Sequence, residues 1–353
     1  MGVLAHGGII LKDFKKVWQV ASVYVGTVVG AGFATGKEIV EFFSQFGLLG
    51  LLEIIIAGYL FIYFGNKMML SSLKSNSQDY FAYNRWLFGR RFSPILNILF
   101  FTMLLGVTAV MLAGSGEVIF EQFHMQKWIG MVITSVFAII VMLWGIKGLS
   151  LVNMFVVPSM IFFNIILVIM AVRSGFDLDK LLYIPYHDHL WLAIVMPISY
   201  VAFNLTLSQA VFLPLAREIK NPAIIRKGAV LGGALLTLIL LLSHISLTIF
   251  QDAQSFAIPT AAVMKSVAPF LHGFYLMIIL GEIFSSIIGN AFGIEQQLKP
   301  KLKWQSIAIY ISLFVICFAI ARFEYAPLLT FLYPIFGYLS ILFLVILLFK
   351  KIN

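Results

Sequence analysis

The sequence predicts an all-α integral membrane protein of ten transmembrane helices, built as two five-helix halves of opposite topology with the first and sixth helices broken. Three observations lead to this. Of 353 residues, 61% are hydrophobic and only 11% charged, whereas a soluble domain is nearer half apolar and a quarter charged. The apolar residues fall into ten runs, 17–43, 47–70, 94–117, 128–146, 149–172, 191–215, 228–250, 268–294, 304–322 and 326–349, each near the ~20 residues that cross a hydrocarbon core. Features of the first five runs also recur in the last five.

The first run does not read as a plain anchor, because Gly26, Gly30, Gly32 and Gly36 are followed by Lys37, Glu38 and Glu41 in its middle and far half. Glycine weakens a helix by roughly 1 kcal/mol relative to alanine. In hydrocarbon, an opened helix is tolerated only where its freed N–H and C=O groups bind something else. The half ending near Gly30 presents carbonyls. The half beginning near Gly32 presents the amides of Ala31, Gly32 and Phe33 with a positive dipole end, an expected seat for a carboxylate. The pairs Gly26–Gly30 and Gly32–Gly36 also match the GxxxG pattern of close helix packing, a second role compatible with the first.

The connection 71–93 interleaves Tyr80, Phe81, Tyr83, Trp86, Leu87 and Phe88 with Arg85, Arg90 and Arg91, which predicts an amphipathic helix lying in the membrane interface. The sixth run crowds Ser199, Asn204, Thr206, Ser208 and Gln209 into its centre, so it is expected to be interrupted like the first. Pro158 in the fifth run and Pro334 in the tenth lie 176 residues apart. An odd number of spans per half makes the second half enter the membrane from the opposite side. The single domain 1–353 then holds inverted halves of about 17–172 and 191–349. Interrupted segments at corresponding positions point to the midplane binding site of a secondary transporter. In that site Tyr200 and Phe203 form an apolar wall and gate, and Ser199 and Asn204 are hydrogen-bonding partners.

Eighteen lysines and arginines fall on the side of the N-terminus and five on the other, so the positive-inside bias places both termini in the cytoplasm and the chain in the cell membrane. The same bias accounts for the net charge of +9. The lipid bilayer is the partner it implies, and no nucleic acid is needed. Cys317, in an apolar run, reads as a small buried residue and excludes a disulfide framework. The short apolar stretch Gly7 to Leu11 is followed by lysines, unlike a cleavable signal, and His6 stands where N-myristoylation needs Ser or Thr. HExxH, CxxC, P-loop and Gly-x-Ser-x-Gly patterns are absent, so neither an enzyme nor a cofactor is expected. His187-Asp188-His189 offers too few ligands for a metal site and reads as a surface loop.

Gly26-x-x-x-Gly30-x-Gly32-Phe33 resembles the glycine-rich first-helix break of the amino acid–polyamine–organocation superfamily, whose members share a LeuT-like five-plus-five repeat. Arg217-Glu218-Ile219-Lys220-Asn221-Pro222, followed by Arg226-Lys227-Gly228, is similar to that superfamily's loop between helices six and seven. The resemblance covers essentially the whole chain and is nearest to the YkvI-type bacterial membrane proteins. The chain departs from the pattern in lacking two further helices found in many members. It also has no glycine in the sixth-helix break, where Ala202 is flanked by Tyr200 and Phe203. The resemblance implies transport of a small-molecule substrate, an amino acid or related zwitterion, with its carboxylate on the amides after Gly30. It also allows a ligand-sensing subunit of the germinant-receptor permease type, which binds an amino acid without net flux.

In sodium-coupled relatives two hydroxyls of helix eight join first-helix carbonyls around Na⁺, which implies Ser285 and Ser286 with the carbonyls of Gly26 and Val29. Serines in membrane helices also bond back to their own backbone, so both readings are open. A second sodium site would need an asparagine where Phe33-Ala34 stands, and none is expected. Glu282 is an ionisable group inside a span, which by default marks function. A carboxyl in hydrocarbon is cheapest in its neutral form, so Glu282 is a candidate to load and release the coupling proton. The competing reading pairs it with Lys37. Lys37 and Glu41, spaced i, i+4, can instead pair with each other in a watery vestibule lined also by Glu38, Glu53 and Glu117.

Overall fold

The computed structural model of the chain describes residues 2–75, 77, 80–174, 181–184, 191–250, 255–302, 304–323 and 325–351. The His187-Asp188-His189 cluster, Lys180 and Lys303 lie outside the described residues. The α-helices among the described residues are α1 (Gly2–Val28), α2 (Ala31–Ala34), α3 (Lys37–Phe42), α4 (Leu48–Lys74), α5 (Tyr80–Phe123), α6 (Lys127–Met142) and α7 (Gly145–Arg173). They continue with α8 (Leu192–Ile219), α9 (Pro222–Ile249), α10 (Pro259–Val267), α11 (His272–Leu302), α12 (Ser306–Ile320) and α13 (Tyr325–Phe349). Among the described residues seven helices, α4, α5, α7, α8, α9, α11 and α13, are long and apolar enough to cross a membrane, while α6 and α12 are shorter apolar helices. The first predicted run is shared among α1, α2 and α3.

Burial orders these helices from centre to rim. In the apolar window of α8 78% is buried, against 28% in α7, so α8 forms the middle of the bundle and α7 turns most of its surface outward. α8 packs between α4 and α13, α1 lies along α9, and α11 lies against α5 and α7. Outside, Ile95, Phe155, Ile194 and Phe331 are each at least two-thirds exposed. A belt of exposed apolar side chains of this kind suits lipid rather than water. Polar signals punctuate the turns: Asn221 caps α9 by accepting from the amides of Ala223 (3.0 Å) and Ile224 (3.3 Å), with Pro222 at its first position, where a missing N–H costs nothing.

Two expectations are corrected. The sixth run is not interrupted, since α8 runs unbroken from Leu192 to Ile219. No glycine weakens it, and three of its five central polar side chains bond back onto its own backbone: Asn204 Nδ2 donates to Tyr200 O (3.0 Å), Ser208 Oγ to Asn204 O (2.7 Å) and Gln209 Nε2 to Thr206 O (3.0 Å). Side chains used this way leave the ladder intact. The aromatic helix after α4 does not rest its apolar face on the membrane surface either. Gly89, at φ 79° and ψ 168°, splits α5 into an aromatic segment, 80–88, and a spanning segment, a backbone geometry that is essentially glycine-only. Tyr83 and Leu87 of the aromatic segment are buried in protein, and the Tyr83 hydroxyl meets Ser71 Oγ at 2.8 Å. Arg85, Arg90 and Arg91 face outward.

Candidate functional site

The first run is interrupted twice. α1 closes with Val29 N donating to Val25 O (2.8 Å), and α2 begins with Ala34 N donating to Gly30 O (2.8 Å), so Val29 and Gly30 form the first break. Ala31, Gly32 and Phe33 are buried there. α2 is a single turn, too short to sum the peptide dipoles that a carboxylate seat was expected to use. Its contribution is reduced to the bare amides.

Thr35 and Gly36 form the second break. Thr260, at the start of α10, clamps it: its amide donates to Thr35 O (3.0 Å) and its hydroxyl to Ala34 O (3.0 Å), while Thr35 Oγ1 meets the Tyr325 hydroxyl at 2.8 Å. Gly36 sits at φ 82°, and a Cβ there would lie 2.5 Å from Thr260 Cγ2. The left-handed backbone alone costs a side chain about 1–2 kcal/mol. Gly36→Ala is therefore expected to lower the melting temperature of the detergent-solubilised protein by several degrees. An unchanged melting curve would show that the break tolerates ordinary residues.

α11 meets the first break from the side. Ser285 Oγ lies 3.4 Å from Gly26 O and 2.9 Å from the carbonyl of Glu282, and Ser286 Oγ donates to Val29 O. The structure thus brings together the four residues expected to surround a cation, all buried. Asn153 of α7 joins them. A Cβ on Gly26 would sit 2.3 Å from its Oδ1, and its buried amide has no hydrogen-bond partner among the described residues. Nothing in the sequence reading marked Asn153, although it is an isolated amide near the start of an apolar run.

On the other side of the break stands Glu38. Its carboxyl is 2% exposed, and a Cβ on Gly32 would lie 2.7 Å from its Oε2. Its Oε1 accepts from Asn204 Nδ2 at 3.5 Å. No ion pair to Glu38 occurs among the described residues. Glu38 therefore belongs to the centre of the bundle and not to a watery vestibule. The rule that singled out Glu282, that an ionisable group inside a span marks function, applies equally to Glu38, six residues after Gly32, and was the available signal.

The four predicted α8 residues divide. Asn204 reaches the break through Glu38, and the Tyr200 ring is enclosed by Phe42 (5.2 Å), Phe43 (4.9 Å) and Phe61 (5.8 Å). Phe203 and Ser199 face α13: Phe203 packs on Tyr333 at 4.7 Å, and Ser199 Oγ is pressed against Gly337. The Tyr333 hydroxyl is buried and has no partner among the described residues.

Glu282 and Lys37 are not brought together as an ion pair among the described residues. Lys37 Nζ is 4.0 Å from Glu41 Oε1, and Glu282 is buried one turn before the serines. Glu53, also 2% exposed, leaves both carboxyl oxygens unpartnered among the described residues, so it too leaves the vestibule. Glu117 pairs with Lys127 at 2.5 Å. Cys317 is fully buried, its Sγ 3.8 Å from Leu105 O.

A bundle of apolar helices around an interrupted first segment is the fold of the LeuT-type membrane transporters. The structure superposes on MhsT in complex with L-phenylalanine at a TM-score of 0.70 and 14% identity, covering 86% of this chain and 78% of that one. It also superposes on the Eremococcus coleocola manganese transporter, in complex with an aromatic bis-isothiourea substituted compound, at a TM-score of 0.68 and 16% identity, covering 94% and 78%. At such identities these likenesses establish the fold alone. The chain itself belongs to the YkvI family of multi-pass membrane proteins. It is 42% identical over 333 residues to YkvI of Bacillus subtilis (strain 168), described as an uncharacterized membrane protein, across 94% of this chain and 95% of YkvI. No family model matches the chain.

Proposed function

We propose that the protein is a secondary active transporter that moves a small organic solute, an amino acid or related zwitterion, by alternating access coupled to Na⁺ or H⁺. The observation that carries this is a pair of buried, oxygen-rich seats for positive charge on the two sides of one helix break. On one side is the oxygen cluster of Gly26, Val29, Ser285 and Ser286, and on the other the Glu38 carboxyl held by Asn204. With α1 to α3 taken as one span and α6 and α12 as two more, the helices make ten spans, five to a half. α8 then opens the second half, and both termini lie in the cytoplasm.

An ionised carboxyl in a membrane interior needs a partner. The ammonium group of a zwitterion supplies one at Glu38. The solute's carboxylate then reaches the amides of Ala31, Gly32 and Phe33 beyond Gly30, and Phe203 with Tyr200 walls its side chain. Na⁺, a hard cation, suits the carbonyl and hydroxyl oxygens beside Asn153. Zinc and copper prefer imidazole or thiolate ligands, and no group of three His, Cys, Asp or Glu residues placed to hold a metal occurs among the described residues.

Screening amino acids and amines by thermal shift, with and without Na⁺, identifies the ligand, because whatever binds the folded state raises its apparent stability. The purified protein in liposomes is then expected to exchange labelled for unlabelled ligand. Binding without counterflow under any Na⁺ or pH gradient would replace the transporter with a ligand sensor. If a proton is the coupling ion and Glu282 its carrier, Glu282→Gln flattens the pH dependence of uptake. An unaltered profile removes Glu282 from the mechanism and leaves Na⁺ or Glu38.

A further inference from the structure

We propose that the lysine- and arginine-rich end of the molecule carries a binding site for one anionic phospholipid, seated between the aromatic segment 80–88, α5 and α11. A cavity of about 540 Å³ opens there, lined by Arg85, Asn97, Phe101, Gln297, Leu298 and Lys301 among others. Two cations face it. Lys301 Nζ is held 4.0 Å over the Phe81 ring, and no ion pair to Arg85 or Lys301 occurs among the described residues. The carboxylate nearest in sequence to Lys301, Glu295, is already engaged by Lys299 at 3.1 Å and by the Ser306 hydroxyl at 2.8 Å, and the one nearest to Arg85, Asp79, lies outside the described residues.

Gln297 supplies the second, independent observation. It is 1% exposed, and both Oε1 and Nε2 lack a hydrogen-bond partner among the described residues. A buried amide left in this condition is unfavourable unless something binds it, and it lines the cavity. Asn97 Oδ1 accepts from Asn84 Nδ2 at 2.7 Å, which leaves its own Nδ2 as a further donor. Two cations with amide donors around one cavity form a seat for a phosphodiester.

The shape selects a lipid over free phosphate. Phe101 and Leu298 also line a second groove that continues toward α12 past Leu105, Trp304 and Leu313, apolar except for Ser312. The charged cavity and the apolar groove thus lie side by side across the shared residues Phe101 and Leu298, as the headgroup and an acyl chain of one lipid would require. The surrounding surface carries the same sign: Arg90 and Arg91 are exposed, and Lys350 lies over the Trp86 ring at 4.6 Å. Basic pockets between spans attract anionic headgroups in this way. This site is independent of the one at the helix break.

The test is native mass spectrometry and thermal shift of the full chain in detergent, titrated with phosphatidylglycerol, phosphatidylcholine or inorganic phosphate. Phosphatidylglycerol is expected to bind at least tenfold more tightly than phosphatidylcholine. Arg85→Ala with Lys301→Ala should erase that preference. Arg226→Ala with Lys227→Ala, a pair of exposed basic residues on α9, should keep it. Ser312→Phe, which fills the groove, should weaken phosphatidylglycerol binding as well. Should the double alanine variant fail to fold, Lys301→Glu, a change at an exposed position, gives the same readout. Equal binding of the two lipids, a preference that survives loss of both cations, or displacement of the lipid by phosphate alone would each overturn the proposal.

Discussion

Replacing Glu38 by Gln should weaken binding of an ammonium-bearing solute by roughly 30- to 150-fold, about 2–3 kcal/mol, the worth of a hydrogen bond to a charged group. The variant keeps the shape of the side chain and its contact with Asn204, so the fold should survive. Its melting temperature should stay level or rise, because a carboxyl with no ion pair among the described residues is replaced by a neutral group that is cheaper to bury. Calorimetry with the amino acid found by screening, and with its des-amino analogue, separates the roles. If Glu38 holds the ammonium, the wild type prefers the amine and the variant does not, while binding of the des-amino analogue hardly changes. An equal loss for both ligands makes Glu38 a structural residue, and the zwitterion proposal then loses its cation seat.

Ser285→Ala combined with Ser286→Ala is expected to abolish any Na⁺ dependence of ligand binding. Both hydroxyls meet the carbonyls that the first break leaves open, and those carbonyls cannot surround a cation alone. The double variant also strands two buried acceptors, each worth about 1–3 kcal/mol, so its stability falls. The informative measurement is therefore the ratio of ligand affinities in Na⁺ and in K⁺, at a temperature where the variant remains folded. A ratio near one in the variant and at least tenfold in the wild type supports the site. Asn153→Ala should reduce the ratio by a smaller factor, since it removes one adjacent oxygen and leaves the rest. An unchanged ratio in the serine variant rejects the cation site, whatever the outcome at Glu38.

Much of this arrangement was legible one residue at a time. Four glycines near three charges located the first break. A serine pair in an otherwise apolar run was matched to Gly26 and Val29 through resemblance, and the structure brings those four residues together. Other parts were not legible. Asn204 and its neighbours looked like a second break because a polar residue in an apolar run has two outlets, a partner across the bundle or its own helix backbone, and composition does not distinguish them. Glu38 looked like a vestibule residue because its neighbours Lys37 and Glu41 pair with each other in sequence, whereas its own partner, Asn204, is 166 residues away. Tyr83 and Leu87 looked like membrane-facing residues because an amphipathic helix shows only that one face is apolar, not what covers it.

The sequence by itself determined the class of this protein, the positions of its apolar runs and the weak point of the first helix. These follow from local quantities, transfer free energy and helix propensity, that each segment carries wherever it is placed. Only the tertiary structure decided that α8 stays whole, that Asn153 lies against Gly26 and that Glu38 stands across the break from Ser285 and Ser286. The direction in which each helix turns its polar face is set by close packing against other helices, and a single segment does not contain that information.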